Sequence, residues 1–291
     1  TEDIELTAKW DINGYVVTFN SNGGSAVESV GANYDTTISE PSVPTKSGYT
    51  FGGWYADEEL ETAWVFATDK VTADTTLYAK WNVVTYTITY NAGGGEITAN
   101  TNTTTYTVED DDIELVAPTA SKTGYTFAGW DIEVIDTARA EDITVTATWT
   151  ANEFTATFDA DNGSANVTAT IYYDGVVTRP ETDPSKTGYT FAGWFIGETA
   201  YDFDTLVTGN VTLTAKWTIN TYTVTFNANG GSAVESATVD YNTAVTEPSA
   251  PTKTGYTFAG WFIGTEEYDF DTLVTEDIEL TAKWDINGYV V

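Results

Sequence analysis

The chain has 291 residues, with 44 Asp and Glu against 11 Lys and Arg, a formal net charge of −33, and no Cys, His or Met. Such a charge repels nucleic acid and anionic membrane surfaces, and the missing residue types exclude thiolate nucleophiles, disulfides, imidazole bases and His or Cys metal sites. With 41% hydrophobic and 14% aromatic residues the chain is nevertheless rich enough in apolar groups to fold, and no stretch approaches the ~18–20 apolar residues that span a bilayer.

Read in chain order, three markers recur. Residues 1–12 hold the first Ala-(Lys/Thr)-Trp, ending at Trp10. An aromatic-x-apolar-x-aromatic strand pattern follows at Tyr15-Val17-Phe19, then Gly-Tyr-Thr-Phe-Gly-Gly-Trp54, then Ala-Lys-Trp81. The same succession runs from Tyr86 through Trp130 to Trp149, from Phe154 through Trp194 to Trp217, and from Tyr222 through Trp261 to Trp284. The markers divide the chain into the tail of a preceding repeat (1–12), repeats at 13–83, 84–151, 152–219 and 220–286, and the start of another (287–291). Residues 1–17 are identical to 275–291, which implies a super-repeat of 274 residues and a natural array longer than this chain.

Repeat four illustrates the expected elements. Tyr222, Val224 and Phe226 alternate with threonines, the period-two signature of a half-buried strand. Asn229-Gly230-Gly231 predicts a turn, and a second strand is expected over roughly 235–242. Pro248 and Pro251 predict an extended, surface-lying connection. Tyr256 to Trp261 reads as a third strand, whose alternation puts Tyr256 and Phe258 on one face and Ala259 and Trp261 on the other. Tyr268 and Phe270 suggest a short returning strand, and Ile278, Leu280, Ala282 and Trp284 alternate in the last. No apolar stripe of helical period appears, so the expected class is mainly β. Units this small need unusual cores. The tryptophans Trp54, Trp81, Trp130, Trp149, Trp194, Trp217, Trp261 and Trp284 are the expected core residues.

Lengths inside the repeats vary, but the step from each Ala-(Lys/Thr)-Trp to the next aromatic is always five residues: 10 to 15, 81 to 86, 149 to 154, 217 to 222 and 284 to 289. Short connectors of constant length, without the Gly/Ser richness of flexible linkers, predict a stiff rod.

Together, Tyr222-Thr-Val-Thr-Phe-Asn-Ala-Asn-Gly-Gly-Ser, Pro251-Thr-Lys-Thr-Gly-Tyr-Thr-Phe-Ala-Gly-Trp261 and Leu280-Thr-Ala-Lys-Trp284 resemble the Listeria–Bacteroides repeat, over essentially the whole chain. Repeat two departs most, with Asp110-Asp111-Asp112 and with Thr148 in place of Lys. The resemblance implies a β-grasp-like (ubiquitin/SUMO-like) domain, first and last strands parallel, found in tandem in surface-anchored and secreted bacterial proteins, with no catalytic residues.

Candidate chemistry is sparse. Asp202 and Asp204, and Asp269 and Asp271, would put paired carboxylates on one strand face, a weak calcium site; no other cofactor is expected. Lys9, Lys80, Lys216 and Lys283 sit beside apolar residues, where an isopeptide staple competes with the simpler expectation of a surface lysine near an acid. The sequence thus points to a structural, extracellular, cell-surface stalk, spacer or coat without enzymatic activity. Its partners are adjacent repeats of the same chain, with lateral copies, a glycan or a host protein as further partners. The alternatives are a self-assembling fibre or sheath and an adhesin.

Overall fold

The computed structural model describes residues 2–288, so the expected start of a further repeat at 287–291 lies mostly outside the described residues. The chain divides into two compact units, Thr1–Thr150 and Ala151–Val291. Strands dominate, and the one helix among the described residues is a single 3-10 turn at Thr137–Arg139.

Each repeat is built on one mixed sheet. In repeat one the order is Val30–Asn33, Gly14–Asn20, Thr75–Val83, Tyr49–Tyr55. Repeats three and four extend the same order by a short fifth strand, Thr199–Ala200 and Glu266–Glu267. At the centre the first strand lies parallel to the last, as in Phe19 opposite Leu77, Tyr90 opposite Val145, Phe158 opposite Leu213 and Phe226 opposite Leu280. The chain therefore enters a repeat and leaves it at opposite ends of the sheet. In repeat two the counterpart of the second strand is only Thr105–Tyr106, and two extra pairs form, Glu96–Ala99 with Thr119–Ser121 and Ile113–Glu114 with Val134–Ile135.

The parallel pair is closed at its start by a side chain. Just before the last strand, Asp74, Asp142, Asn210 and Asp277 accept hydrogen bonds from the first-strand N–H groups of Val16, Thr87, Thr155 and Thr223, at 2.9, 2.7, 2.8 and 2.8 Å. These side chains satisfy a donor that the parallel ladder leaves open.

The third strand differs from the expected alternation. A bulge between Phe258 and Gly260 leaves Ala259 exposed and places Phe258 and Trp261 on the same face. Gly260 has φ +129, and its counterparts Gly53, Gly129 and Gly193 have φ +111, +144 and +129, which accounts for glycine before every one of these tryptophans. The bulge joins four rings in edge-to-face or tilted contact. Phe226, Trp261, Phe258 and Trp284 are separated in turn by 5.0, 5.4 and 5.6 Å. The series recurs from Phe19 to Trp81 at 4.8, 5.5 and 5.6 Å, from Tyr90 to Trp149 at 5.2, 5.5 and 5.7 Å, and from Phe158 to Trp217 at 5.0, 5.5 and 5.5 Å.

Other expectations shift locally. The second strand of repeat four is Ala237–Asp240, shorter than 235–242. The returning strand is Glu266–Glu267, not Tyr268 to Phe270, because Tyr268 turns inward to meet Phe270 edge to face at 5.1 Å and donates its N–H to the Trp261 carbonyl at 2.8 Å. Residues 2–12 form no strand, and Leu6 and Trp10 are 90% and 89% exposed, although the sequence of residues 4–12 recurs as Ile278–Ile286, the last strand of repeat four. Alternation alone does not make this strand; its two neighbours do.

Leu280 is 0% exposed, directly opposite Phe226. Leu280→Ala is expected to cost about 2–5 kcal/mol. Amide exchange should accelerate in repeat four while repeats one and two keep their protection, as read by hydrogen-exchange mass spectrometry.

Candidate functional site: the joints between repeats

In a chain of repeats the functional geometry lies where one repeat meets the next, and two such joints fall within the compact units. The joint from repeat three to repeat four is centred on Asn220. Its N–H donates to the Gly188 carbonyl at 2.9 Å, and its Oδ1 accepts from the Thr190 hydroxyl at 2.7 Å, both in repeat three. Its own carbonyl accepts the N–H of Tyr241, in repeat four, at 2.8 Å. One residue is thereby tied to both flanking repeats. The Tyr241 ring packs on Gly188 so closely that a Cβ there would lie 1.9 Å from the ring, and Gly188 has φ +78.

The joint from repeat one to repeat two has the same plan with other residues. Val84 N–H donates to the Gly48 carbonyl at 2.9 Å, and Val108 packs on Gly48, where a Cβ would meet it at 2.3 Å. The Tyr49 hydroxyl donates to Glu109 Oε1 at 2.9 Å. That hydrogen bond, with some burial and the carboxylate charge, holds the phenol above the ordinary tyrosine pKa. In repeat four Asn287 N–H and Oδ1 bond to Gly255 and Thr257 in the manner of Asn220, at 2.9 and 2.7 Å.

The expected core tryptophans fall into two groups. Trp54, Trp130, Trp194 and Trp261 are buried. Trp81, Trp149, Trp217 and Trp284 are partly buried, and each donates its indole N–H to a carbonyl of the first turn: Ser21, Ala92, Ala160 and Ala228, at 2.9, 2.8, 2.9 and 3.1 Å. They act as lids that hold the turn against the hairpin. A lysine completes each lid. Lys46, Lys122, Lys186 and Lys253 lie over Tyr49, Tyr125, Tyr189 and Tyr256 at 4.3, 4.4, 5.1 and 4.7 Å and donate to turn carbonyls. Four of the chain's 11 basic residues are used in this way, at positions the sequence reading passed over.

The lysines considered for an isopeptide staple have other contacts. Lys80 and Lys283 lie over the Tyr55 and Phe262 rings, and Lys216 lies over Phe195 and pairs with Glu198. Lys9 belongs to the exposed segment without strand structure. The paired carboxylates are not on strands: Asp202 and Asp269 accept the N–H of Asp204 and Asp271 at 3.0 and 2.9 Å, each fixing a turn. Among the described residues no group of three or more acidic side chains is placed to hold a metal ion. No helix among them is long and apolar enough to cross a membrane.

A family model, the Listeria-Bacteroides repeat domain, matches residues 15–80, 86–150, 154–216 and 222–283. A protein of Evansella cellulosilytica provisionally named as a Gly-rich membrane protein is 37% identical over 93% of this chain, which covers 32% of that protein. A second Evansella cellulosilytica protein, provisionally named as a membrane protein, is 35% identical over 98% of the chain and 34% of its own length. Internalin H of Listeria monocytogenes is 40% identical over 41% of the chain and 22% of its own length. The chain thus spans about a third of the length of the first two relatives.

Two outcomes test the joints. Gly188→Ala should destabilise by about 1–3 kcal/mol through overpacking and the positive φ. Gly255→Ala, with φ +84 but nothing within 4 Å among the described residues, should lose only the backbone part; chemical denaturation of both variants reads the difference. For Tyr49 the folded pKa lies above the unfolded one, so its contribution is complete below about pH 10 and is lost as pH rises through the folded value. The melting-temperature gap between the natural chain and Tyr49→Phe should therefore close above about pH 10.

Proposed function

The chain belongs to the Listeria-Bacteroides repeat domain family, and from that premise we propose that it is a structural spacer: a stretch of β-grasp-like repeats in an extracellular bacterial surface protein that holds other parts away from the cell. The observation that carries this reading is Asn220, hydrogen-bonded to the repeat on each side of it. A connector held in that way transmits orientation from one repeat to the next. The parallel central strands support it, because a repeat entered at one end of its sheet and left at the other extends an array with every unit. The β-grasp assignment rests on the strand order second, first, last, third, with the crossing between second and third strands made by an extended segment instead of a helix.

The mechanism is mechanical. Aromatic cores close each repeat, connectors fix its neighbour, and a net charge of −33 over four repeats keeps the array soluble and extended by self-repulsion. No reaction is assigned to it.

Small-angle scattering of the chain tests this. A rod of four repeats has a length on the order of 110 Å and a radius of gyration of about 32 Å, against about 19 Å for a compact chain of this size. A monomer near the larger value supports the spacer. A value near the smaller one overturns it, growth with concentration favours the fibre or sheath, and saturable binding of a surface glycan or host protein favours the adhesin.

A further inference from the structure

Residues 13 and 14 are Asn-Gly, and the pair recurs at 287 and 288, the same place one super-repeat further on. At the other connectors the corresponding pairs are Val84-Thr85, Asn152-Glu153 and Asn220-Thr221. Nothing steric calls for this glycine. Gly14 opens the first strand of repeat one without a positive φ, and a Cβ on it would meet nothing within 4 Å. A Cβ on Gly288 would also meet nothing within 4 Å among the described residues. Glycine weakens a strand, through lost side-chain contacts and a larger entropy cost of ordering, and gives this position nothing in return.

The same dipeptide also occurs in the first turns of repeats one, three and four, as Asn22-Gly23, Asn162-Gly163 and Asn229-Gly230. There the turn requires the glycine, with φ +84, +86 and +86. The side-chain amides of these asparagines are held, since each Nδ2 donates to a main-chain carbonyl, of Ala79, Ser185 and Ala282, at 2.8, 2.9 and 3.2 Å.

At the connector the amide nitrogen is not held. Asn13 and Asn287 are exposed, and neither Nδ2 has a hydrogen-bond partner among the described residues. Asn287 Oδ1 instead accepts from the Thr257 hydroxyl at 2.7 Å. That places a donor on the oxygen that gains negative charge when its carbon is attacked. The main-chain nitrogen of the glycine is open as well. Val16 N–H points to Asp74, and strand alternation turns the Gly14 N–H to that same side, away from the second strand.

We propose that Asn-Gly at 13–14 and 287–288 is a self-modifying site, at which this connector converts its asparagine to aspartate and isoaspartate without an enzyme. The glycine nitrogen gives its proton to solvent and attacks Cγ of the asparagine. A C–N bond forms, the Cγ–Nδ2 bond breaks, and ammonia leaves. Water then opens the five-membered succinimide at either of its two carbonyls. One water is consumed and one ammonia released, and nothing is oxidised or reduced. The attack is intramolecular, and no Cβ on the following residue shields the nitrogen. Opening at the main-chain carbonyl gives isoaspartate, whose main chain runs through the former side-chain carbon and is one methylene longer. It lengthens a connector whose step is otherwise constant, and either product adds a negative charge where Asn287 meets Thr257. The joint is loosened at this connector alone. The chemistry holds whether or not the array is a spacer, because it needs only one connector.

The test incubates the full chain in mildly alkaline buffer made with H₂¹⁸O and follows it by peptide-mapping mass spectrometry, with fragmentation that separates isoaspartate from aspartate. The comparisons lie in the same molecule. Asn220 makes the same two bonds as Asn287 but is followed by Thr221, and the turn asparagines have the glycine but a held amide. Labelled product is expected at Asn13 and Asn287 at least about tenfold faster than at Asn220, a barrier lower by about 1.4 kcal/mol. The rate should rise with hydroxide concentration. Gly14→Thr installs the residue type that follows Asn220 and fits the open space at Gly14. It should stop the reaction at Asn13 while Asn287 continues to react in the same chain. Intact Asn13 and Asn287, rates no greater than that of Asn220, faster labelling at the turn asparagines, or continued reaction at Asn13 in Gly14→Thr would each overturn the proposal.

Discussion

Each repeat depends on one physical arrangement: four aromatic rings in sequence, running from the first strand to the last through the third. Aromatic pairs at these separations contribute about 0.5–1.5 kcal/mol each beyond the area they bury. In units too small for a large aliphatic core, and without disulfides, this joins three strands through a single stack. The stack exists because the bulge at Gly260 and its counterparts shifts the third strand by one residue. In a regular strand Phe258 and Trp261 would point to opposite faces, and one ring would be lost to solvent.

The remaining features follow from that core. The last tryptophan of the stack reaches past the sheet to hold the first turn, and the lid lysine covers it. With the turn and hairpin fixed, the glycine after that lysine lies where the next connector begins. Gly188 then receives both the Asn220 hydrogen bond and the Tyr241 ring. The route from aromatic core to lid passes through residues that recur at the same places in the repeats, whereas the joints use different ones, Asn220 and Tyr241 in one and Val84 and Val108 in the other.

Much of this was legible in the sequence because the markers repeat. The tryptophans, the alternating first and last strands and the constant connectors each announce themselves by recurrence. The bulge was not legible by alternation, since period-two reasoning assumes an unbroken strand, although the glycine before Trp54, Trp130, Trp194 and Trp261 was its signal. The role of Asp74, Asp142, Asn210 and Asp277 was not legible from composition, although their constant place before the last strand marks them as caps. Asn220 escaped notice because a joint brings together residues of two repeats, and no pattern inside one repeat reports on it. The fate of residues 2–12 was hidden for a related reason: a strand sequence is realised only between its partners.

The most direct test of the central role of the bulged stack is Gly260→Val in the full chain, which removes the residue whose φ of +129 the bulge requires. A strand forced into regular alternation should turn Trp261 away from the face that holds Phe258. The predicted result is loss of dispersed ¹H–¹⁵N resonances from repeat four, with reduced near-ultraviolet circular dichroism, while repeats one and two keep their spectra. A Gly260→Val variant with repeat four as well dispersed and as stable as in the natural chain would contradict the account.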